Sequence, residues 1–103
     1  MTHKKQWVKY FDWCTGATMY SFEGRIPCIT ASTIEVSICP DRRKEIPECS
    51  DSSYRTYYQA SVFNTRTECG WREEFRYLRN AKRATEEMFD EFCRLNPKDA
   101  EAW

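Results

Sequence analysis

Four arginines, Arg72, Arg76, Arg79 and Arg83, follow one another at steps of four, three and four residues. On a helix, at roughly 100° per residue, they fall within a wedge of about 60°. Arginine grips carboxylates and phosphates with a planar fork of donors. The same stripe continues in Glu86, Glu87 and Asp90, so a basic block would precede an acidic one along a single exposed ridge. That order is locally unfavourable. Arg72/Arg76 and Arg79/Arg83 are like-charge neighbours, and the bases occupy the half of the helix where the macrodipole prefers acids. The charges read either as a face that simply keeps the chain dissolved, which had no need to adopt this order, or as a recognition ridge. A second basic run, Arg42-Arg43-Lys44, adds to it.

The aromatics point the same way. Four Trp, six Tyr and six Phe are more than one small core hides. Tyr and Trp are the side chains that anchor interfaces. Trp7, Trp13, Tyr54, Tyr57 and Tyr58 are the aromatic candidates, against the alternative that each packs in the core or across strands.

Catalytic chemistry finds less support. The single histidine, His3, stands two residues from the chain start, where a base is poorly held. Without a second imidazole there is no Ser/His or Cys/His nucleophilic pair. Three glycines, at 16, 24 and 70, make no phosphate-cradling loop. Glu73-Glu74, Glu86-Glu87 and Asp90-Glu91 read as the solvated face of a helix rather than as paired acids in a cleft. These exclusions predict a protein that is not an enzyme and carries no cofactor.

Six cysteines, at 14, 28, 39, 49, 69 and 93, permit three disulfides in fifteen connectivities. The chain has the ordinary core that disulfide scaffolds usually lack, so the reading favours free thiols. The closest pair, Cys39 and Cys49, is ten residues apart, far from the tight knuckle of a structural zinc site. No metal is expected.

These groups must be positioned by a chain of 103 residues, which gives room for one domain and one core. Sixteen basic and sixteen acidic residues balance, so bulk charge does not suggest nucleic-acid or membrane binding. No stretch approaches the roughly 20 apolar residues of a membrane span, and the start of the chain shows no apolar signal core. A cytoplasmic location is the expectation.

Alternation of apolar and polar residues predicts strands at Gln6–Trp13, Ala17–Phe22, Arg25–Thr30, Thr33–Cys39 and Tyr54–Asn64. Cys14-Thr15-Gly16 and Glu23-Gly24 supply turns. Pro40–Ser53 reads as a long polar loop. Apolar residues at Trp71, Phe75, Leu78, Ala81, Thr85, Met88, Phe92 and Leu95 predict one helix from about residue 70 to 95, stopped by Asn96-Pro97, with a short tail over 96–103. Thr65 with Glu68 offers a capping box for an earlier start. The predicted fold is α+β: a four- or five-stranded antiparallel sheet followed by one long C-terminal helix packed on one face.

The function that follows is a small protein-binding module, an inhibitor or adaptor that meets a protein with an acidic surface. By analogy with small accessory proteins of phages and mobile elements, the expected target is a host defence complex such as a nuclease. The expected contact residues are Arg72, Arg76, Arg79, Arg83, Arg42, Arg43, Lys44 and Tyr57. One alternative is a nucleic-acid-binding accessory protein using the arginine ridge. Zero net charge and the acids on that ridge weigh against it. The other is a secreted, disulfide-linked binding protein.

Overall fold

The computed structural model describes residues 5–14, 16–27, 32–46, 48–49, 51 and 53–100. Five antiparallel strands form one meander: β1 (Trp7–Asp12), β2 (Ala17–Phe22), β3 (Ile34–Lys44), β4 (Tyr54–Asn64) and β5 (Cys69–Phe75). A long helix, α1 (Leu78–Leu95), then crosses one face, and a single turn, α2 (Pro97–Ala100), follows it. The architecture is the predicted α+β, with five strands and the long helix packed against them.

The core lies between the sheet and α1. Ile34, Val36 and Ile38 of β3 pair with Asn64, Val62 and Ala60 of β4, and all six are fully buried. Phe22 joins them from β2 and meets Phe89 of α1 edge to face at 5.0 Å, while Trp7 of β1 packs on Phe22 at 4.6 Å. Edge-to-face pairs of this kind add to the burial of apolar area. The buried line of α1 is Ala81, Thr85, Phe89 and Cys93, in steps of four. Met88, Phe92 and Leu78 flank it, half-buried. Thr85 stays satisfied inside by donating to the carbonyl of Ala81 at 2.6 Å. Leu95, expected on the inner face, is 61% exposed because the buried line ends at Cys93, and two residues on, about 200° around the helix, Leu95 points away from the sheet.

The predicted helix over residues 70–95 is corrected in its first third. Residues 69–75 form edge strand β5, and the helix begins only at Leu78. The apolar pair Trp71 and Phe75, four apart, fits a helical face, but four is also a multiple of the strand period of two. Glu73 between them keeps the same side of the sheet, opposite Ala60. The turn before β5 decides the matter. The Asn64 carboxamide oxygen accepts the backbone N–H groups of Arg66 and Thr67 at 2.9 and 3.1 Å, and Glu68 takes a left-handed φ of 60°. Thr65–Glu68 is therefore a hairpin turn and not a capping box. Gly70 is required just beyond it: a Cβ there would stand 2.8 Å from the Phe63 ring.

Two further expectations change. Arg25 to Pro27 lie outside any strand, and Cys28–Thr30 fall outside the described residues. Pro40–Ser53 is a loop only after residue 44, because β3 runs on through Pro40 to Lys44 and pairs with Tyr54–Tyr58. Val36 donates its N–H to the Arg25 carbonyl, away from β4. By strand alternation Pro40 points its missing N–H the same way. The β2–β3 register pairs Tyr20 with Ile38 and does not extend to Pro40, so no ladder bond is lost. The result is a two-stranded ribbon that outruns the sheet.

The meander has two ends. The turns at 23–27 and 65–68, the end of α1 and α2 lie at one, the closed end. The β1–β2 turn, the ribbon and the start of α1 lie at the other. At the closed end the Arg25 guanidinium, 2% exposed, donates to Ser32 Oγ at 2.9 Å and to the Ala100 carbonyl, and it stacks 5.2 Å above Phe89. Asp99 of α2 accepts Asn64 Nδ2 at 3.0 Å and a forked contact from Arg66 at 2.7–3.0 Å.

Candidate functional site

The ribbon end gathers most of the sequence-derived contact residues. Past Tyr58, β4 has no β5 neighbour, and past Ile38, β3 has no paired β2 neighbour. Cross-strand partners there are Arg42 with Thr56, Arg43 with Arg55, and Lys44 with Tyr54. Alternation sends Arg42, Lys44 and Tyr54 to one face, and Arg43, Arg55 and Tyr57 to the other. On the first face Arg42 lies 4.7 Å and Lys44 5.8 Å over the Tyr54 ring. On the second, Arg43 lies 4.2 Å over Tyr57, which also receives Arg76 at 5.8 Å. Arg76 stacks on Tyr77 at 5.2 Å and donates to the Thr56 carbonyl at 3.1 Å, which fixes the chain where β5 turns into α1.

Each cation–ring contact holds a flexible side chain in one place. The cations differ in what neutralises them. Arg43 is held by Glu74 at 2.5 Å and Asp41 at 3.1 Å, and the Glu74 hydrogen bond pushes its pKa further up. Arg55 pairs with Glu45. Arg42, Lys44, Arg76 and Arg79 have no carboxylate partner among the described residues. The start of α1 adds to their field. Its N-cap, Tyr77, supplies no side-chain hydrogen bond, and its first turn holds no acid.

Exposed apolar groups share this end. Of the seven large apolar side chains exposed among the described residues, five lie here: Phe11, Trp13, Ile46, Tyr54 and Tyr77. Trp13 is 88% exposed and holds Phe11 edge to face at 4.9 Å. The β1–β2 turn that carries it is pinned by Asp12, whose carboxylate accepts the Cys14 N–H at 2.9 Å, with Gly16 at a φ of 70°.

The single arginine ridge is not formed. Arg79 and Arg83 stand on α1, exposed, as predicted. Arg72 is on β5, opposite Ser61, on the sheet face that α1 leaves open. Arg76 is in the turn between them. Six of the eight expected contact residues, Arg42, Arg43, Lys44, Tyr57, Arg76 and Arg79, thus reach one end by way of β3, β4, the turn after β5 and α1. Arg72 lies mid-sheet and Arg83 one turn further along α1. Tyr77 and Phe11 escaped the sequence reading, Tyr77 because it was placed inside a continuous helix. Tyr58 and Trp7, also aromatic candidates, pack half-buried against the core.

Cys14, Cys39, Cys49, Cys69 and Cys93 are free thiols; Cys28 lies outside the described residues. Burial raises the Cys39 pKa and pushes that of Cys93 up to about 11, so neither is an activated nucleophile. Among the described residues no cluster of His, Cys, Asp and Glu has the spacing to hold a metal ion, and no helix is long and apolar enough to cross a membrane. No family model, curated protein or solved structure matches the chain.

Proposed function

We propose that this protein is a non-enzymatic binding module that docks by its ribbon end onto an acidic surface of a protein partner, in the manner of a small inhibitor or adaptor. One observation carries the reading. Among the described residues, five of seven exposed large apolar side chains and four cations without a carboxylate partner occupy the same end of the molecule. Aromatic anchors among arginines are the composition of interface hot spots. Arginines already stacked on tyrosines lose less freedom on binding than free ones.

A nucleic-acid partner is less well supported. Glu45, Glu48 and Asp51 sit at the ribbon's own tip, and the whole chain carries no net charge. A polyanion tracking the ribbon would meet them.

The test reverses charge where folding does not depend on it. Arg42→Glu with Lys44→Glu alters two ribbon cations that make no ion pair. Wild-type protein and this variant are used as baits in the organism of origin, with an Arg83→Glu bait as control. The expected result is a protein captured by wild type and by the Arg83 variant but lost from the double reversal. Equal capture by all three baits would reject the ribbon as the interface. Binding of generic duplex DNA or RNA by the wild type, weakening with salt at a slope of about −0.7 to −0.9 per phosphate contact, would move the reading to nucleic acid.

A further inference from the structure

The sheet face opposite α1 holds a second surface, which the basic ribbon does not explain. Ser37 of β3, Ser61 of β4 and Arg72 of β5 are direct cross-strand partners and form one row across three strands. Two cavities of about 370 and 390 Å³ lie along this row and share Met19 and Ser37. The first is apolar, with Tyr10, Trp13 and Pro27 around Met19. The second is mixed: Met19, Cys39 and Pro40 line it beside Ser37, Asp41 and Gln59, and its polar groups end at Ser61 and Arg72.

The polar half has donors to spare. The hydroxyls of Ser37 and Ser61 have no partner among the described residues, and neither does the exposed Arg72 guanidinium. The nearest acid on its own face of β5, Glu74, has one oxygen on Arg43 and the other on Gln59. Asp41, across the cavity, is paired with Arg43. Gly70, two residues before Arg72 on the same face, offers no side chain to cover it. A cation and two hydroxyls are left facing a groove whose other half is apolar.

We propose that this open face binds an extended acidic peptide segment running across the strands. Its carboxylate is held by Arg72, its backbone lies over Ser61 and Ser37, and an apolar side chain sits over Met19 beside Trp13. The spacing follows from the sheet. Three strand intervals of about 4.8 Å separate β2 from β5, which makes ~14 Å. An extended chain covers that in about four residues at ~3.4 Å each. The acid should therefore stand about four positions from the apolar residue. A forked arginine–carboxylate contact supplies direction, and the apolar end supplies burial.

The probe is the capped peptide acetyl-Leu-Thr-Ser-Thr-Asp-amide, titrated into isotope-labelled wild-type protein and followed by NMR. The expected result is saturable shifts at Ser37, Ser61, Arg72 and the Trp13 indole N–H, with a Kd on the order of 1 mM. The same peptide ending in Asn, and Arg72→Gln protein with the original peptide, should each bind about tenfold more weakly. Lys98→Gln protein, changed at an exposed residue of α2, should bind as wild type. Equal affinity for the Asn peptide would overturn the proposal, as would shifts confined to the ribbon or no shifts at all. So would matching shifts from inorganic phosphate, which would make the site a simple anion sink. The Asn peptide tests the wild-type protein directly, so the answer does not hang on the folding of any variant. None of these outcomes requires the ribbon to dock anything.

Discussion

The two ends of the molecule use the same residue types to opposite effect. At the closed end, Arg25 is buried over Phe89, and Arg66 is locked to Asp99, which Asn64 also holds. Polar groups there are matched inside the protein, and each tightens the fold. At the ribbon end, arginines lie on tyrosines in solvent, four cations lack acids among the described residues, and Trp13 is almost wholly exposed. A buried arginine serves stability because its donors are used up within the chain. An exposed arginine on an aromatic ring is rigid yet keeps its donors for something else. The contrast predicts that mutations at the closed end report on stability and mutations at the ribbon end on binding.

The sharpest way to break this contrast is at its largest expected effect. Phe89→Ala removes a fully buried ring between Phe22 and Arg25 and should cost about 3–5 kcal/mol in urea unfolding. Arg25→Ala leaves the Ala100 carbonyl and Ser32 hydroxyl without their donor and should cost about 1.5–3 kcal/mol. By contrast, Lys44→Ala at the ribbon should stay within about 0.5 kcal/mol of wild type. A ribbon variant as damaging as Arg25→Ala would end the comparison.

Acid sharpens it next. Arg66 and Asn64 hold the Asp99 carboxyl down at about 2, below its ordinary value of 3.8. A carboxylate with a lowered folded pKa stabilises fully above the unfolded value and loses that contribution as pH falls from 3.8 through 2. Thermal melts of wild type and Asp99→Asn should diverge above that window and converge below it. The ribbon variants should shift no part of this limb.

Thiol labelling gives the smallest effect and the finest map. Cys14, Cys49 and Cys69 are exposed and should be alkylated at once without reductant. Cys93 is buried, with its thiol raised from 9.0 to about 11, and should react only as α1 detaches. A thiol with a raised folded pKa favours the folded state below pH 9 and ceases to as pH rises through 11. Labelling of Cys93 as fast as Cys14, followed by peptide mass, would mean that the closed end is not closed.

How much of this could be read without coordinates varies by element. Thr33–Cys39 alternates cleanly, and its Ile34, Val36 and Ile38 became fully buried at the centre of the sheet. The C-terminal two-thirds of the helix was equally legible, since Ala81, Met88 and Phe92 repeat at helical steps. The Trp71–Phe75 segment was not, because a spacing of four satisfies both a helix and a strand. The Asn64 turn settled it, and a turn made by one side chain leaves only a faint trace in sequence. Pro40 misled in the same way. A proline marks a loop unless the neighbouring strand has already left, and that is a fact about β2, not about the residues around Pro40.

The sequence by itself determined the fold class, through periodicity, which is local. It also named nearly all of the chemistry-bearing side chains, because arginine and tyrosine do not change character with context. The tertiary structure alone decided which of them meet. Arg42 and Arg76 come from segments more than thirty residues apart, and only β3–β4–β5 pairing places them at one end. It also decided that Arg72 parts company with Arg79: one residue sits on a strand and the other on a helix, and the two faces they serve point to opposite sides of the sheet.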